Sequence, residues 1–151
     1  MRIAEGEFDD PQIIALLDTH VLAARAETAR ESAHAFEIDR LKAPDIRFWT
    51  LWEGETLLAV GALQALGAGR GEIKSMHTAQ AARRRGAGGA MLDHIVAAAR
   101  AMGLAQLSLE TGSWAYFAPA HALYRSRGFV DCAPFGDYRD DPNSLFMTLA
   151  L

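Results

Sequence analysis

The stretch that decides the fold, residues 72–103, reads EIKSMHTAQAARRRGAGGAMLDHIVAAARAMG. Residues 72–78 contain enough β-branched and apolar side chains to predict a strand. Apolar residues then recur at helical spacing from Ala87 to Met102, and Gly103 is a typical C-terminal stop. A run of arginines and glycines separates the two segments. The stretch therefore predicts a strand, a basic glycine loop and a helix.

The glycine loop is suited to binding an anion. Gly86, Gly88 and Gly89 allow the backbone to turn sharply and to approach a ligand closely. The first turn of the following helix has unpaired N–H groups at the positive end of the helix dipole, where phosphate binds well. Three consecutive arginines add positive charge there, namely Arg83, Arg84 and Arg85. The spacing fits neither a nucleotide-triphosphate P-loop nor a dinucleotide site.

Composition limits the class of protein. The chain has 151 residues, so we expect one domain over residues 1–151. Its net charge of −4 argues against nucleic acid as a partner and makes the arginines a local exception. Cys132 is the single cysteine, expected to be a small buried residue on a strand in a reducing cytosol. We expect a cytoplasmic protein with no membrane span and no metal, because neither an apolar span nor a histidine ligand spacing occurs.

The first half of the chain predicts two helices and a hairpin. Residues 1–6 predict a strand, and Asp10 and Pro11 are typical of the start of a helix, here extending to about residue 26. A second helix is predicted around residues 31–39. Two strands then flank a turn at Glu53-Gly54-Glu55, at residues 46–52 and 56–66. The second of these strands has the continuous apolar run of a strand buried on both faces.

The second half completes a mixed sheet. Further strands are predicted at residues 104–110, 129–133 and 144–149, with a helix at residues 120–127. The strands on either side of the central helix should pair in parallel, because they are joined by a helical crossover. The element order is β-α-α-β-β-β-α-β-α-β-β. The fold class is therefore α/β, with a mixed sheet of about seven strands and helices on both faces.

Two motifs in this order resemble a known family. The loop Arg83-Arg84-Arg85-Gly86-Ala87-Gly88 matches Arg/Gln-x-x-Gly-x-Gly/Ala, the coenzyme A pyrophosphate loop of the GNAT acyltransferase superfamily. Residues 120–129, AHALYRSRGF, resemble the Ala-x-x-Leu-Tyr-x-x-x-Gly-Phe signature of the same superfamily. The element order also agrees with the family along the whole chain. The resemblance is closest to small bacterial acetyltransferases.

The resemblance implies acetyl-CoA as the acyl donor, bound where the strands at residues 72–78 and 104–110 separate. Backbone N–H groups of the glycine loop would hold the pyrophosphate, and the backbone of Met76 and Thr78 would pair with the pantetheine arm. Phe117 stands where the family often has an asparagine, which removes one polar contact. The residues implied at the cofactor are Met76, His77, Thr78, Arg83, Arg84, Arg85, Gly86, Ala87, Gly88, Gly89, Phe117 and Tyr124.

The resemblance also implies a direct transfer of acetyl to a primary amine. The N–H of Met76 would stabilise the oxyanion, and the phenol of Tyr124 would protonate the leaving thiolate. Glu72 and Glu110 are alternative bases for the amine, and each could instead be a solvated or substrate-binding charge. His77 is a further candidate on the cofactor strand, where its side chain can face the wrong side. Tyr124 could instead be an aromatic wall of the cofactor site.

The acceptor side is implied to be built from residues 25–39 and 132–143. Acidic residues in these segments favour a cationic amine, namely Glu31, Glu37, Asp39, Asp137, Asp140 and Asp141. Trp114, Tyr116 and Phe117 form an aromatic patch that either packs in the core or lines the acceptor pocket.

Three alternatives stay open at this stage. The fold could hold acyl-CoA as a non-catalytic sensor or docking domain. Small residues at Ala59, Gly61 and Ala62 could admit a longer acyl chain. Many relatives pair into dimers, which leaves a homodimer open for this chain.

Overall fold

A computed structural model describes residues 1–24 and 38–151, with the side chains of residues 20–24 left aside. The strands are β1 (Arg2–Glu5), β2 (Ile46–Glu53), β3 (Thr56–Gly67), β4 (Arg70–Thr78), β5 (Gln106–Gly112), β6 (Val130–Asp131) and β7 (Ser144–Ala150). The helices are α1 (Pro11–Ala24), α2 (Ala87–Ala101) and α3 (Ala118–Ser126). The helix expected around residues 31–39 lies mostly outside the described residues, and residues 38–41 are helical.

Local sequence signals determine where the helices begin and end. The Asp10 side chain accepts a hydrogen bond from the backbone N–H of Gln12 at 2.8 Å, which caps α1 at its expected start. Gly86 has a φ of 80° immediately before α2, and Gly103 has a φ of 77° immediately after it. Glycine adopts this left-handed conformation at little cost, so the loop turns and the helix stops where the sequence predicts.

The seven strands form one sheet in the order β1-β2-β3-β4-β5-β7-β6. The pairing of β4 with β5 is parallel, and the other neighbouring strands are antiparallel, as predicted for a helical crossover. This parallel pairing runs only from Arg70 opposite Gln106 to Ile73 opposite Leu109. Beyond Ile73 and Leu109, β4 remains paired with β3 while β5 remains paired with β7. The centre of the sheet therefore opens into a gap.

The sheet buries a hydrophobic core on each face. Phe48 and Trp52 of β2 belong to a cluster with α1, whereas Trp49 and Leu51 belong to a cluster with α2. Adjacent side chains of a strand point to opposite faces, so one strand contributes to both cores. Strand β3 is buried from Leu57 to Leu63 without interruption. The prediction of a strand buried on both faces and of helices on both faces is confirmed.

The small residues of β3 serve packing. A Cβ built on Gly61 would lie 2.8 Å from Cδ1 of Ile95, so glycine lets α2 approach the sheet closely. Ala59 and Ala62 are fully enclosed in the two core clusters. None of the three lines the cavities described below. The suggestion that they admit a longer acyl chain is therefore not supported.

Some boundaries differ from the sequence prediction. Strand β6 is only Val130–Asp131, and Cys132 follows it as a half-buried residue, so the expected buried strand position for Cys132 is wrong. Helix α3 begins at Ala118 and follows a 3-10 turn at Ala115–Phe117. Within the described residues, the helices are too short or too polar to cross a membrane.

Candidate active site

The gap between β4 and β5 lies beside an irregularity in β4. The register with β3 shifts between Lys74, opposite Ala62, and His77, opposite Val60. Ser75 has a φ of 52° within this bulge, which is rare for a residue other than glycine. Met76 follows directly and lines two cavities, one on each side of the gap. The bulge therefore sets the backbone of Met76 at the point where the cavities meet.

The first cavity, called the donor cavity here, has a volume of about 460 Å³. It lies between the end of β4, the glycine loop and α3. It is lined by Met76, His77, Thr78, Ala82, Arg83, Arg84, Gly86, Ala87, Gly88, Gly89, Tyr116, Phe117, Pro119, Ala120, Leu123 and Tyr124. Of the twelve residues expected at the cofactor, the structure brings all except Arg85 to this cavity.

The glycine loop presents backbone to the donor cavity. Arg84 has a φ of 67° and Gly86 a φ of 80°, so the chain turns twice before α2 begins. A Cβ on Gly88 would lie 3.0 Å from Oγ1 of Thr78 and 3.2 Å from Cδ2 of Leu123. Residues larger than glycine would therefore press the helix start against the cavity walls. The first N–H groups of α2 lack intrahelical acceptors and form a site suited to a phosphate.

The three arginines differ in where their side chains lie. Arg83 donates to the hydroxyl of Tyr116 at 3.4 Å and lies over its ring, so it spans the edge of the donor cavity. Arg84 also lines the cavity. Arg85 forms an ion pair with Glu53 at the β2–β3 hairpin and does not line the cavity. The expected contact of the Arg85 side chain with the cofactor is therefore not supported.

His77 lies on β4 with its side chain on the α1 face. It pairs with Val60, which belongs to the core cluster of α1, and it also borders a groove against Gln12 and Leu16 of α1. Burial, with a smaller contribution from the charge of Arg83, lowers the pKa of His77 to about 4. The imidazole is therefore uncharged at neutral pH, and it does not line the second cavity, which is described below.

An ion pair connects the two helices that flank the donor cavity. Nε of Arg127, just after α3, lies 2.9 Å from Oδ1 of Asp93 on α2, and Nη2 lies 3.3 Å from Oδ2. A Cβ on Gly89 would lie 2.5 Å from Nη2 of Arg127. Gly89 therefore leaves room for this guanidinium as well as for a ligand.

The second cavity, called the acceptor cavity here, has a volume of about 420 Å³ and lies on the α1 face of the gap. It is lined by Arg40, Glu72, Ile73, Lys74, Ser75, Met76, Leu109, Glu110, Thr111, Gly112, Trp114, Phe117, Ala120, Tyr124, Tyr138, Asp141, Asn143 and Ser144. Both predicted glutamates are among these residues, and four residues are shared with the donor cavity, namely Met76, Phe117, Ala120 and Tyr124.

Glu72 is a buried carboxylate at 5% exposure. Its Oε2 accepts a hydrogen bond from the phenol of Tyr138 at 2.6 Å and lies 3.5 Å from Nζ of Lys74. Burial, together with this bond to a carboxylate, raises the pKa of Tyr138, so the phenol stays protonated and donates. Glu72 is therefore a partnered group within the cavity, and its interpretation as a solvated charge at a strand end is wrong.

Glu110 faces the same cavity from β5. Its Oε2 accepts a hydrogen bond from the hydroxyl of Ser144 at 2.7 Å. Glu72 pairs with Ser108, and Glu110 lies two residues further along β5, so both carboxylates project from the α1 face of the sheet. The gap thus separates a donor cavity on the α2 face from two carboxylates on the other face.

Tyr124 lies between the cavities at 5% exposure. Burial raises the pKa of its phenol, so the hydroxyl stays protonated across the neutral range. Phe117 packs edge-to-face with both Trp114 and Tyr116, and a Cβ on Gly112 would lie 2.4 Å from the Phe117 ring. The aromatic patch therefore does both things the sequence left open, since Phe117 packs inside while Trp114 lines the acceptor cavity.

Several functional residues were missed by sequence reasoning. Lys74 could have been found, because it lies two residues after Glu72 on the same strand face. Arg40 and Tyr138 gave no signal, since their proximity to β4 depends on tertiary structure. Of the acidic residues expected to attract a cation, Asp141 lines the cavity but Asp39, Asp137 and Asp140 do not. Glu31 and Glu37 lie outside the described residues.

Comparison with known proteins identifies the family to which this fold belongs. A model of the acetyltransferase (GNAT) family matches residues 13–129. The chain belongs to this family, whose members use an acyl-CoA donor and an amine acceptor. The expected fold, enzyme class and family are confirmed.

Bacterial relatives are similar over most of their length. YsnE of Bacillus subtilis (strain 168), an uncharacterized N-acetyltransferase, is 43% identical over 151 residues, 100% of each chain. YedL of Escherichia coli (strain K12), also an uncharacterized N-acetyltransferase, is 42% identical over 149 residues, 99% of this chain and 94% of its own. An IAA acetyltransferase of Azospirillum brasilense is 43% identical over 118 residues, 78% of this chain and 76% of its own.

Solved structures share the fold. An acetyltransferase of Streptococcus agalactiae superposes with a TM-score of 0.76 at 20% identity, covering 99% of this chain and 98% of its own. A Bacillus subtilis acetyltransferase in complex with CoA superposes with a TM-score of 0.74 at 18% identity, over the same shares of the two chains. At these identities the likeness concerns the fold alone.

Proposed function

We propose that the chain transfers an acetyl group from acetyl-CoA to a primary amine by direct attack. The observation that carries this proposal is the meeting of the donor and acceptor cavities at Met76 and Tyr124. A thioester in the donor cavity and an amine in the acceptor cavity would meet at these residues. No covalent enzyme intermediate is then needed, because the two substrates can react while both are bound.

Four observations support acetyl-CoA as the donor. The first turn of α2 and the glycine loop present N–H groups suited to a pyrophosphate. Arg83 and Arg84 add positive charge at the same end of the donor cavity. The Bacillus subtilis structural neighbour is in complex with CoA. The separated edge of β4 beyond Ile73 offers backbone groups to the pantetheine arm in the way that an added strand would pair.

The reaction begins with loss of a proton by the amine. A free primary amine with a pKa of about 10 is mostly protonated at neutral pH and cannot attack. Either Glu72 or Glu110 accepts this proton, directly or through a water molecule, since both carboxylates line the acceptor cavity. The amine nitrogen then forms a bond to the thioester carbon. The N–H of Met76 stabilises the negative oxygen of the resulting tetrahedral intermediate.

The intermediate collapses when the carbon–sulfur bond breaks and the electron pair leaves with the sulfur. Tyr124 donates its phenolic proton to the thiolate. The nitrogen, which is positively charged after the attack, gives its second proton to the tyrosinate, directly or through water, and the carboxylate releases the first proton to solvent. The raised pKa of Tyr124 keeps the proton in place until the thiolate forms. The products are an acetylated amine and free CoA.

The alternative is a non-catalytic domain that binds acyl-CoA as a sensor. Such a domain needs the donor cavity but neither the carboxylates nor a protonated tyrosine at the gap. Both are present in this chain, and the similar relatives are named acetyltransferases. The arrangement therefore supports the hypothesis of an enzyme better than that of a sensor.

The test is an assay of released CoA thiol with acetyl-CoA and a panel of primary amines. IAA is assayed separately, because one relative is named for it. Tyr124→Phe should lower kcat by roughly a hundredfold or more, the usual range for a positioned acid, with acetyl-CoA binding unchanged. Glu72→Gln and Glu110→Gln in the same assay identify the base as the one whose loss lowers kcat most. Thiol release by the native chain that equals the rate without enzyme, despite bound acetyl-CoA, would favour the sensor.

A further inference from the structure

The acceptor cavity contains charges of both signs. Carboxylates line it at Glu72, Glu110 and Asp141, and cations line it at Arg40 and Lys74. A site built only for a cationic amine would gain nothing from cations in its wall, because they repel the substrate. The mixed charge therefore indicates that the acceptor has a negatively charged group in addition to its amino group.

Lys74 forms an ion pair with Glu72. Its Nζ lies 3.5 Å from Glu72, and both side chains are largely buried, at 15% and 7% exposure. A buried carboxylate needs such a partner, since an isolated charge in a low-dielectric site is costly. Lys74 thus neutralises Glu72 and leaves Glu110, with one oxygen bonded to Ser144, as the more accessible carboxylate.

Arg40 is the second cation in the lining of the cavity. It lies in the short helical segment at residues 38–41, where the neighbouring Leu41 is buried at 2% exposure in the α1 core cluster. The segment is therefore held against the sheet. Arg40 is close enough to Tyr138 for its charge to offset part of the rise in pKa that Glu72 and Glu110 cause. The guanidinium and the carboxylates consequently face one small volume.

We propose that the acceptor is a small amino acid, whose amino group is received by Glu110 and Glu72 and whose carboxylate is bound by Arg40. This inference rests on the proposed function and names the substrate class of the same site. A guanidinium binds a carboxylate through two parallel hydrogen bonds, which fixes the acceptor in one orientation. The amino group is then directed towards Met76 and Tyr124.

The size of the cavity agrees with this class. A volume of about 420 Å³ accommodates a single amino acid with room for its side chain. The lining also includes aromatic rings, with Trp114 and Phe117 from the 3-10 turn region and Tyr138, which bonds to Glu72, from the loop before β7. These rings offer contact area for the apolar part of a side chain.

The experiment first screens the twenty standard amino acids with the thiol-release assay and the native enzyme. The best acceptor is then compared with two analogues that share its side chain, its α-amide and its decarboxylated amine. We expect kcat/KM for both analogues to fall by roughly tenfold or more, mainly through KM, because a charge-assisted bidentate contact is lost. This comparison uses the native chain and does not depend on the folding of a variant.

Arg40→Gln then tests the residue. The variant should lose the preference, so that kcat/KM for the amino acid falls to within about threefold of kcat/KM for its amide. Arg40→Lys should restore part of the preference through charge alone. Arg139→Gln is the matched control, since it removes the same charge from an exposed residue of the nearby loop that does not line the cavity.

The possible outcomes distinguish the substrate class, the role of Arg40 and the proposed function. Amines acetylated with no advantage for a carboxylate, in the native enzyme, would overturn the substrate class and leave the acetyltransferase proposal intact. A preference that survives in Arg40→Gln would overturn the role of Arg40. Acetyl-CoA binding without acetylation of any amine would overturn the proposed function and this inference together.

Discussion

The donor and acceptor cavities differ in how the chain builds them. The donor cavity takes most of its lining from residues 76–89, which are nearly consecutive, and its loop works through backbone groups. The acceptor cavity takes its lining from β4, β5, α3 with the turn region before it, the loop before β7 and Arg40, and it works through charged side chains. A site made of local backbone leaves a motif in the sequence, whereas a site made of distant side chains does not. The predictions below test this contrast.

The substitution with the largest expected effect disrupts the donor cavity alone. Gly86→Glu should abolish measurable acetyl-CoA binding, because it places a carboxylate where the pyrophosphate is expected and forces a side chain into a φ of 80°. Ligand at about a hundred times its dissociation constant should stabilise the native fold by roughly 2.7 kcal/mol in a thermal-shift titration. The variant should show no such shift.

Gly6→Glu is the matched control for this change. Gly6 has the same φ of 80°, and a Cβ at either position meets nothing within 4 Å, so both variants carry the same backbone strain. Gly6 lies after β1, away from both cavities. Equal loss of the ligand-induced shift in the two variants would show that strain, and not the anion site, explains the result.

An intermediate effect is expected from His77 on β4, whose imidazole is uncharged at neutral pH. The pKa of His77 is lowered from 6.5 to about 4, so the folded state binds fewer protons than the unfolded state in this window. Stability from this group is present above pH 6.5 and is lost as the pH falls to about 4. At 1.36 kcal/mol per pKa unit, the full loss is about 3 kcal/mol.

The measurement is urea unfolding of the native chain and of His77→Gln at several pH values between 7 and 4. The variant lacks the titrating group, so its free energy of unfolding should depend less on pH across this window. Parallel pH dependences in the two proteins would mean that His77 titrates normally in the folded state.

The smallest expected effect distinguishes Arg84 from Arg85 in the glycine loop. Arg84→Ala should weaken acetyl-CoA binding by about fivefold, the upper range for an exposed ion pair, because its side chain lines the donor cavity. Arg85→Ala should change the affinity little, because that side chain pairs with Glu53. Isothermal titration with acetyl-CoA at two salt concentrations measures both. A larger loss for Arg85→Ala would reverse the assignment of the two side chains.

Much of the fold was predictable because its signals are local. Asp10 with Pro11, Gly86 and Gly103 each mark a helix boundary by their own conformation or hydrogen bonds. The apolar run of β3 indicated burial on both faces. The length of β6 was overestimated, since residues 129–133 are suited to a strand while only Val130 and Asp131 pair in register with β7, and Cys132 adds one backbone hydrogen bond to Phe146.

The site was predictable on the donor side and only partly on the acceptor side. The glutamates were named from strand positions, but the bond from Tyr138 to Glu72 joins residues 66 positions apart, and no periodicity reports it. Arg40 was likewise not predicted, because it lines the cavity from the segment at residues 38–41, which is far in sequence from β4 and β5. The sequence also cannot tell which of three adjacent arginines turns its side chain towards the hairpin, as Arg85 does.

Gly89 has a consequence for how related sequences should vary. Its missing side chain gives space to the Arg127 guanidinium, which joins α3 to Asp93 of α2. Positions 89, 93 and 127 are therefore expected to covary as a set. Chains with alanine at position 89 should carry a shorter residue at position 127 and have no need of an acid at position 93. The third glycine of the loop thus reflects the spacing of two helices as well as the demands of a phosphate.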